Sequence, residues 1–177
     1  MRKLSIQVKP SHFGMYVKDL TVMEDFYVNS IGFLVTDRWK LNDSEMVFLS
    51  KDPQEHHQLV LATGRQEGQP SQFNQISYEV SSLRSLHSSF NEIQGITKGI
   101  VSAMNHGGSW SIYFPDPEDN TIELFAYTET YAPPIATVPM DMTLPFDLLI
   151  EQTNQILQIV DGSIPWSQWR ENFLELS

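Results

Sequence analysis

The sequence predicts an α+β protein built from two similar modules, each with one strand, one helix and three further strands, followed by a C-terminal helical extension. Strand-like and helix-like hydrophobic patterns occur in this order twice along the chain. A shift that places Gln75 on His12 also places Val80 on Val17 and Leu83 on Leu20. Such an internal repeat predicts two copies of one structural unit, whose apolar sheet faces require burial around a shared cavity.

The first module covers residues 10–63. The segment SHFGMYV at 11–17 predicts a strand, and apolar residues at helical spacing from Leu20 to Ile31 predict a helix that Gly32 ends. Three strands separated by turn residues are predicted next, at residues 33–39, 45–50 and 57–62.

The second module covers residues 72–127 and follows a polar linker at 64–71. A strand at 75–80 precedes an amphipathic helix that begins near Leu83 and that Gly95 ends. Its remaining strands are predicted at residues 96–102, 109–114 and 121–127. Together the modules form one predicted domain, residues 1–127.

The extension covers residues 128–177 and holds one or two predicted helices. Apolar spacing predicts a helix at 146–160, and Trp166, Trp169 and Phe173 also have helical spacing. We expect these aromatic residues to pack on the domain surface, and a dimer contact is the alternative.

Composition excludes several functions. The chain has 177 residues, 22 acidic against 11 basic, and no cysteine, so disulfides and thiolate metal sites are excluded. The net charge of −11 argues against nucleic acids and anionic membranes as partners. Neither a membrane-spanning apolar run nor a signal-peptide core occurs, so we expect a cytoplasmic protein.

Glu123 lies inside an apolar strand, where a carboxylate is costly unless it is paired or bound to a metal. The repeat places His12, Gln75 and Glu123 on strands that we expect to line the shared cavity. Their lone pairs suit a divalent cation, although His12 taken alone fits an ordinary buried histidine better than a ligand. His56 and His57, if they lie in a strand, point to opposite faces.

The segments SHFGMYVKDL, IGF, HHQLVLA, NQISYEV and NHGGSWSIYFPDPEDNTIELFAY resemble the vicinal oxygen chelate superfamily of glyoxalases, bleomycin resistance proteins and type I extradiol dioxygenases. The similarity covers about residues 10–127 and is greatest to small extradiol dioxygenase-like members. It implies paired βαβββ modules that form an eight-stranded, partly closed mixed sheet around one metal and ligand cavity.

The resemblance also implies roles for individual residues. His12 and Glu123 match two metal ligands, and Gln75 stands where extradiol members have a second histidine ligand. His57 matches an acid–base histidine, and Tyr113 and His106 match groups that stabilise negative charge on oxygen.

The implied function is an Fe(II)-dependent dioxygenase that acts on a catechol-like or phenolic aromatic molecule with O₂, in a homodimer. Because Gln75 replaces a histidine, two alternatives stay open. One is a glyoxalase-like lyase or isomerase with Zn, Ni or Mn, and the other is a small-molecule-binding protein with a degenerate site.

Overall fold

The computed structural model describes residues 9–71, 73–133 and 137–175. The chain divides into two compact units, Met1–Gln72 and Phe73–Ser177. The predicted division into a domain at 1–127 and an extension at 128–177 stays a prediction.

The first unit contains one helix and a four-stranded sheet. Its elements are β1 (Phe13–Val17), α1 (Leu20–Asp25), a π-helical turn (Phe26–Ser30), β2 (Leu34–Leu41), β3 (Ser44–Ser50) and β4 (Leu59–Thr63). Asp19 caps α1, because its carboxylate accepts hydrogen bonds from the backbone N–H groups of Thr21 and Val22. The strand order is β1-β4-β3-β2, with β1 and β4 parallel.

The second unit contains a five-stranded sheet, a two-stranded ribbon and four helices in its described part. Its elements are β5 (Ile76–Glu79), α2 (Leu83–Ser88), α3 (Phe90–Ile96), β6 (Ser102–Asn105), β7 (Ser109–Pro115), β8 (Thr121–Tyr127), β9 (Thr130–Tyr131), β10 (Val138–Pro139), α4 (Phe146–Ile159), β11 (Ile164–Pro165) and α5 (Trp166–Leu174). The larger sheet has the order β10-β6-β7-β8-β5, and β9 pairs with β11.

The two units repeat one pattern of strand pairing. In each, the first strand is parallel to the fourth, the fourth is antiparallel to the third, and the third is antiparallel to the second. One sheet face is apolar and buried, as alternating residues of β1 and β4 show: Met15, Val17, Leu59 and Leu61. The predicted repeat of βαβββ modules in an α+β fold is therefore confirmed.

The hydrogen bonds between strands do not form the predicted single eight-stranded sheet. The described strands form separate sheets of four and five strands and a ribbon of two. The reason is that the first strand of each module pairs with the last strand of the same module.

Three predicted elements differ from the structure. The helix beginning at Leu83 is interrupted at Ser89 and continues one residue beyond Gly95, to Ile96. The strand predicted at 96–102 begins only at Ser102, because the Thr97 hydroxyl donates to the Pro115 carbonyl and accepts from the Gly99 N–H, which forms a turn. The first helix becomes a π-helical turn at Phe26, and Gly32 follows it with a φ of 84°, as a glycine stop requires.

The last helix packs on its own unit through aromatic rings. Trp166 contacts Tyr127 and Tyr131 at ring-centroid distances of 4.8 and 5.3 Å, and Trp169 contacts Tyr131 at 5.7 Å. This packing is what the spacing of the tryptophans led us to expect.

Across the described ranges, no helix is both long enough and apolar enough to cross a membrane.

Candidate active-site clusters

The predicted site residues lie in two clusters, one in each unit. The histidine cluster comprises His12, His56 and His57 of the first unit. The carboxylate cluster comprises Gln75, Ser77, His106, Tyr113 and Glu123 of the second unit.

In the histidine cluster, His57 lies between the other two rings. Its ring centroid is 4.1 Å from that of His12 and 5.1 Å from that of His56. The Nδ1 atoms of His56 and His57 are 2.9 Å apart, so one nitrogen carries a proton and the other accepts it. Opposite faces were expected only if both residues lay in a strand, and that condition is not met, because both precede β4, which begins at Leu59.

The environment of His57 favours the uncharged form of its ring. Partial burial, followed by the charges of His12 and His56, lowers its pKa below the ordinary value of 6.5, and Glu55 opposes the shift. An uncharged imidazole near neutral pH accepts a proton readily. The edge of Phe48 packs against this ring with the centroids 5.2 Å apart.

The sheet register builds the carboxylate cluster around Glu123. Ser77 on β5 and Tyr113 on β7 are both direct cross-strand partners of Glu123 on β8. Side chains of directly paired residues lie on the same face, so a hydroxyl approaches the carboxylate from each neighbouring strand. Glu123 is only 8% exposed, which confirms that this carboxylate is buried within an apolar strand.

Three donors satisfy the carboxylate. The Tyr113 hydroxyl donates to Oε1 at 2.5 Å. The Gln75 side-chain amide donates to Oε2 at 2.8 Å, and the Ser77 hydroxyl donates to the same oxygen. Hydrogen bonds of this kind compensate a buried negative charge and hold the side chain in one orientation.

Tyr113 stays protonated at physiological pH and is a hydrogen-bond donor. Burial and then its hydrogen bond to Glu123 raise its pKa to about 12. His106 Nε2 lies 3.3 Å from the Tyr113 hydroxyl oxygen, and Thr137 Oγ1 lies 3.3 Å from His106 Nδ1. His106 is therefore joined to the carboxylate through the phenol.

The donor chemistry of Gln75 and Glu123 fits a divalent cation. The Gln75 amide nitrogen also donates to Ser77 at 3.0 Å, and among the described residues its carbonyl oxygen accepts no hydrogen bond. Amide and carboxylate oxygens are hard ligands that Mn²⁺ and similar cations accept. Within residues 9–71, 73–133 and 137–175, no group of three or more His, Asp or Glu side chains is arranged to hold a metal. A metal site here therefore depends on the oxygen of Gln75.

Two members of these networks were not predicted from the sequence. Ser77 has a signal that could have identified it, since it lies two residues after Gln75 in the strand predicted at 75–80, and alternate residues of a strand share a face. Thr137 lies in a segment rich in proline and threonine without hydrophobic periodicity, and it has no such signal.

The repeated βαβββ topology and the carboxylate held on the last strand define the class of protein. The model of the Glyoxalase/Bleomycin resistance protein/Dioxygenase superfamily matches residues 9–124. The chain belongs to this superfamily, as its resemblance to vicinal oxygen chelate proteins indicated.

Solved structures show the same fold. A glyoxylase/bleomycin resistance protein/dioxygenase domain from Frankia sp. EAN1pec has a TM-score of 0.57 and 17% identity, covering 70% of this chain and 95% of that one. The fosfomycin resistance protein FosX from Listeria monocytogenes, complexed with Mn(II) and sulfate, has a TM-score of 0.56 and 18% identity, covering 70% and 95%. Lactoylglutathione lyase from Agrobacterium tumefaciens has a TM-score of 0.50 and 17% identity, covering 71% and 96%. No curated protein matches the chain significantly.

Proposed function

We propose that the protein is an Fe(II)-dependent dioxygenase that opens the ring of a catechol-like molecule next to its two hydroxyl groups. The carbon–carbon bond beside the diol breaks, and both atoms of O₂ enter the product, one in an aldehyde and one in a carboxylate. Because O₂ takes up all the electrons that the ring gives, the reaction needs no external reductant.

The metal ligands in this proposal are His12, Gln75 and Glu123. When bound, Fe(II) would supply a chelating Lewis acid for the two substrate oxygens and a binding position for O₂. The hydrogen bonds from Gln75 and Ser77 to Glu123 support this assignment, because they fix the carboxylate and leave the amide oxygen available as a ligand.

The observation that carries the proposal is the packing of the His57 imidazole beside His12, with the ring centroids 4.1 Å apart; burial and the neighbouring histidines also lower the pKa of His57. A catechol loses a hydroxyl proton when it chelates a metal, and an imidazole with a lowered pKa is unprotonated near neutral pH, so its nitrogen lone pair is available to accept that proton. In the proposed reaction, His57 takes the substrate hydroxyl proton and later returns it to the product.

Tyr113 and His106 act on developing negative charge in the proposed reaction. The raised pKa of Tyr113 keeps its hydroxyl protonated, so it remains a hydrogen-bond donor throughout the neutral pH range. His106 Nε2 lies 3.3 Å from the phenol oxygen, and in the proposed reaction a hydrogen bond donated from it strengthens that donor.

Aromatic side chains beside both clusters support an aromatic substrate. Phe48 packs against His57. Phe125 and Tyr127 lie on the same strand face as Glu123, with their rings 5.2 Å apart. Such rings favour planar apolar molecules by stacking or edge contacts.

The test uses full-length protein purified anaerobically, loaded with Fe(II) and mixed with a panel of catechols under air. We expect stoichiometric O₂ uptake and the visible absorbance of a ring-opened product. His57→Ala is expected to lower kcat about 100-fold, as loss of a general base does. The matched control is His87→Gln, since His87 lies outside both clusters and glutamine preserves a polar partner for the Leu144 carbonyl. Absence of O₂ uptake with every catechol would reject the proposal.

A second candidate function is a lyase or isomerase with a redox-inert metal. Gln75 favours it, because a carboxamide oxygen is a harder and weaker ligand than an imidazole nitrogen. Such a ligand does not select Fe(II) over Mn, Ni or Zn. Turnover of a hydroxycarbonyl substrate by the Mn-, Ni- or Zn-loaded protein without O₂ would select this function.

We also propose a homodimer as the assembly. Phe173, near the end of α5, is 54% exposed and offers apolar surface for a contact between copies. Light scattering after size-exclusion chromatography tests the assembly, and a Phe173→Ser variant that remains fully dimeric would exclude this contact.

A further inference from the structure

We propose that the exposed face of the four-stranded sheet binds an aromatic substituent of the substrate, and that Gly14 determines this specificity because it leaves room for the ring. The proposal rests on the proposed function and deepens it, since it makes the substrate a catechol that carries an aryl group. The residues that form the pocket all belong to the first unit, so its occupancy can be measured without a metal and without turnover.

The pocket lies on three neighbouring strands, β1, β4 and β3. Its volume is about 220 Å³, and it is lined by Gly14, Met15, Tyr16, Met46, Val60 and Ala62. Tyr16 pairs directly with Ala62, and Ala62 pairs with Met46, so their side chains share one face of the sheet. That face is opposite to the one on which Val17 and Leu61 are buried, because side chains alternate along a strand.

The strand register joins the pocket to the histidine cluster. Gly14 pairs with Val60, and Val60 pairs with Phe48. The Phe48 ring packs against His57 with the centroids 5.2 Å apart. The next row on the same face, which contains Tyr16, is about 7 Å away, because each residue advances a strand by about 3.3 Å. A catechol whose hydroxyl groups reach His57 can therefore place a substituent over that second row.

The chemistry of the lining favours an uncharged aromatic group. None of the six side chains carries a charge. The volume suits one ring, since an apolar cavity of about 150 Å³ is enough to bind benzene. Met46 and Tyr16 both favour an aromatic occupant over an alkyl one, because a thioether sulfur and a phenol ring make specific attractive contacts with aromatic rings.

Two glycines give the pocket its shape. A Cβ on Gly64 would lie 3.0 Å from Cδ1 of Tyr16, so the Tyr16 ring lies directly against the Gly64 backbone and forms a fixed wall. Gly14 leaves the space beside Val60 open, and a Cβ there would lie 3.6 Å from Cβ of Val60, which is an ordinary contact. A larger residue at position 14 is therefore compatible with β1 and fills the pocket without disrupting the sheet.

The experiment is calorimetry of the metal-free full chain with biphenyl-2-ol and with phenol, which differ only in the second ring. We expect the wild type to bind biphenyl-2-ol at least about tenfold more tightly, because the second ring removes further apolar surface from water. Gly14→Val and Ala62→Leu fill the pocket from different strands, and each is expected to reduce the preference to about twofold or less. Far-ultraviolet circular dichroism checks that both variants fold.

Leu41→Val is the matched control, because Leu41 lies on the exposed edge strand β2 and does not line the pocket; we expect it to keep the wild-type preference. Equal affinities for the two compounds in the wild type, or an undiminished preference in the folded variants, overturn the proposal. If the preference behaves as expected while the Fe(II)-loaded protein does not cleave biphenyl-2,3-diol, the proposed function fails and the pocket for an aryl group stands.

Discussion

The hydroxyl of Thr153 links α4 to the sheet of the second unit by hydrogen bonds, and Thr153→Val tests its contribution to folding stability. Thr153 is 2% exposed. Its oxygen accepts from the Asn105 side-chain amide at 2.7 Å and from the Trp110 indole N–H at 2.8 Å, and it donates to the Leu149 carbonyl at 2.7 Å. Valine has the same shape, so the substitution removes these bonds without opening a cavity.

The magnitude follows from the two donors that lose their acceptor. Asn105 and Trp110 are 2% and 0% exposed, so water does not replace the lost oxygen. An unsatisfied buried donor costs about 1–3 kcal/mol, so two such donors give a decrease of roughly 2–6 kcal/mol in the free energy of unfolding. With a urea dependence of about 2 kcal/mol per molar, the midpoint falls by roughly 1–3 M.

Urea unfolding followed by tryptophan fluorescence and by far-ultraviolet circular dichroism measures this change. Thr153→Ser is the control, since it retains the hydroxyl and should lose only about 1 kcal/mol for the methyl group. A Thr153→Val protein within about 0.5 kcal/mol of the wild type would refute the reasoning. Asn105 also accepts from the Gly107 N–H, so we expect the substitution to disturb the turn that holds His106.

Three further predictions concern single residues. Because the pKa of His57 is lowered in the folded protein, the unfolded chain binds more protons than the folded chain just below pH 6.5. Stability therefore decreases as pH falls from 6.5 toward the folded pKa. His57→Asn should flatten this part of a pH–stability curve measured by urea unfolding. The pKa of Tyr113 is raised to about 12, so its contribution to folding stability is fully present below pH 10 and is lost between pH 10 and 12. Tyr113→Phe should lessen the loss of stability in that range. An unchanged slope of stability against pH would contradict the assignment. Gly99→Ala should lower the melting temperature, because a Cβ there would lie 2.1 Å from Cγ of Pro115. Gly95→Ala is the control and should not lower it, because a Cβ there meets nothing within 4 Å. Equal melting temperatures of the two variants would contradict the predicted clash.

The repeated topology could be predicted because hydrophobic periodicity indicates which side of each helix or strand is buried. Val17 and Val80 occupy equivalent repeat positions, and the structure gives both modules the same strand pairing. The same logic identified Glu123, since a lone carboxylate in an apolar strand requires partners. Periodicity carries no information on which strand edges meet, so the division into two sheets was not predictable from it.

The partners of Glu123 were only partly predictable. Gln75 followed from the repeat, and Tyr113 from the resemblance to extradiol dioxygenases. Ser77 was missed because a serine on an exposed strand face is common. Thr137 was missed because its contact with His106 depends on long-range pairing of β10 with β6, which local sequence does not encode.

Metal binding at the proposed site can be measured apart from turnover. Glu123→Gln is expected to weaken Mn(II) binding at least tenfold in calorimetry, because it removes the proposed charged ligand. Glu79→Gln, an exposed glutamate on β5, is the control and should bind as the wild type does. Equal affinities in all three proteins would exclude Glu123 as a ligand.

The most direct test of the proposed dioxygenase is the fate of labelled oxygen. The Fe(II)-loaded protein is mixed with a catechol and ¹⁸O₂, and the mass of the ring-opened product is measured by mass spectrometry. The proposed function predicts a product whose carboxylate contains one labelled oxygen atom in the wild type and no product in Glu123→Gln. A product formed at full rate without labelled oxygen would contradict it and would assign the protein to the redox-inert members of its superfamily.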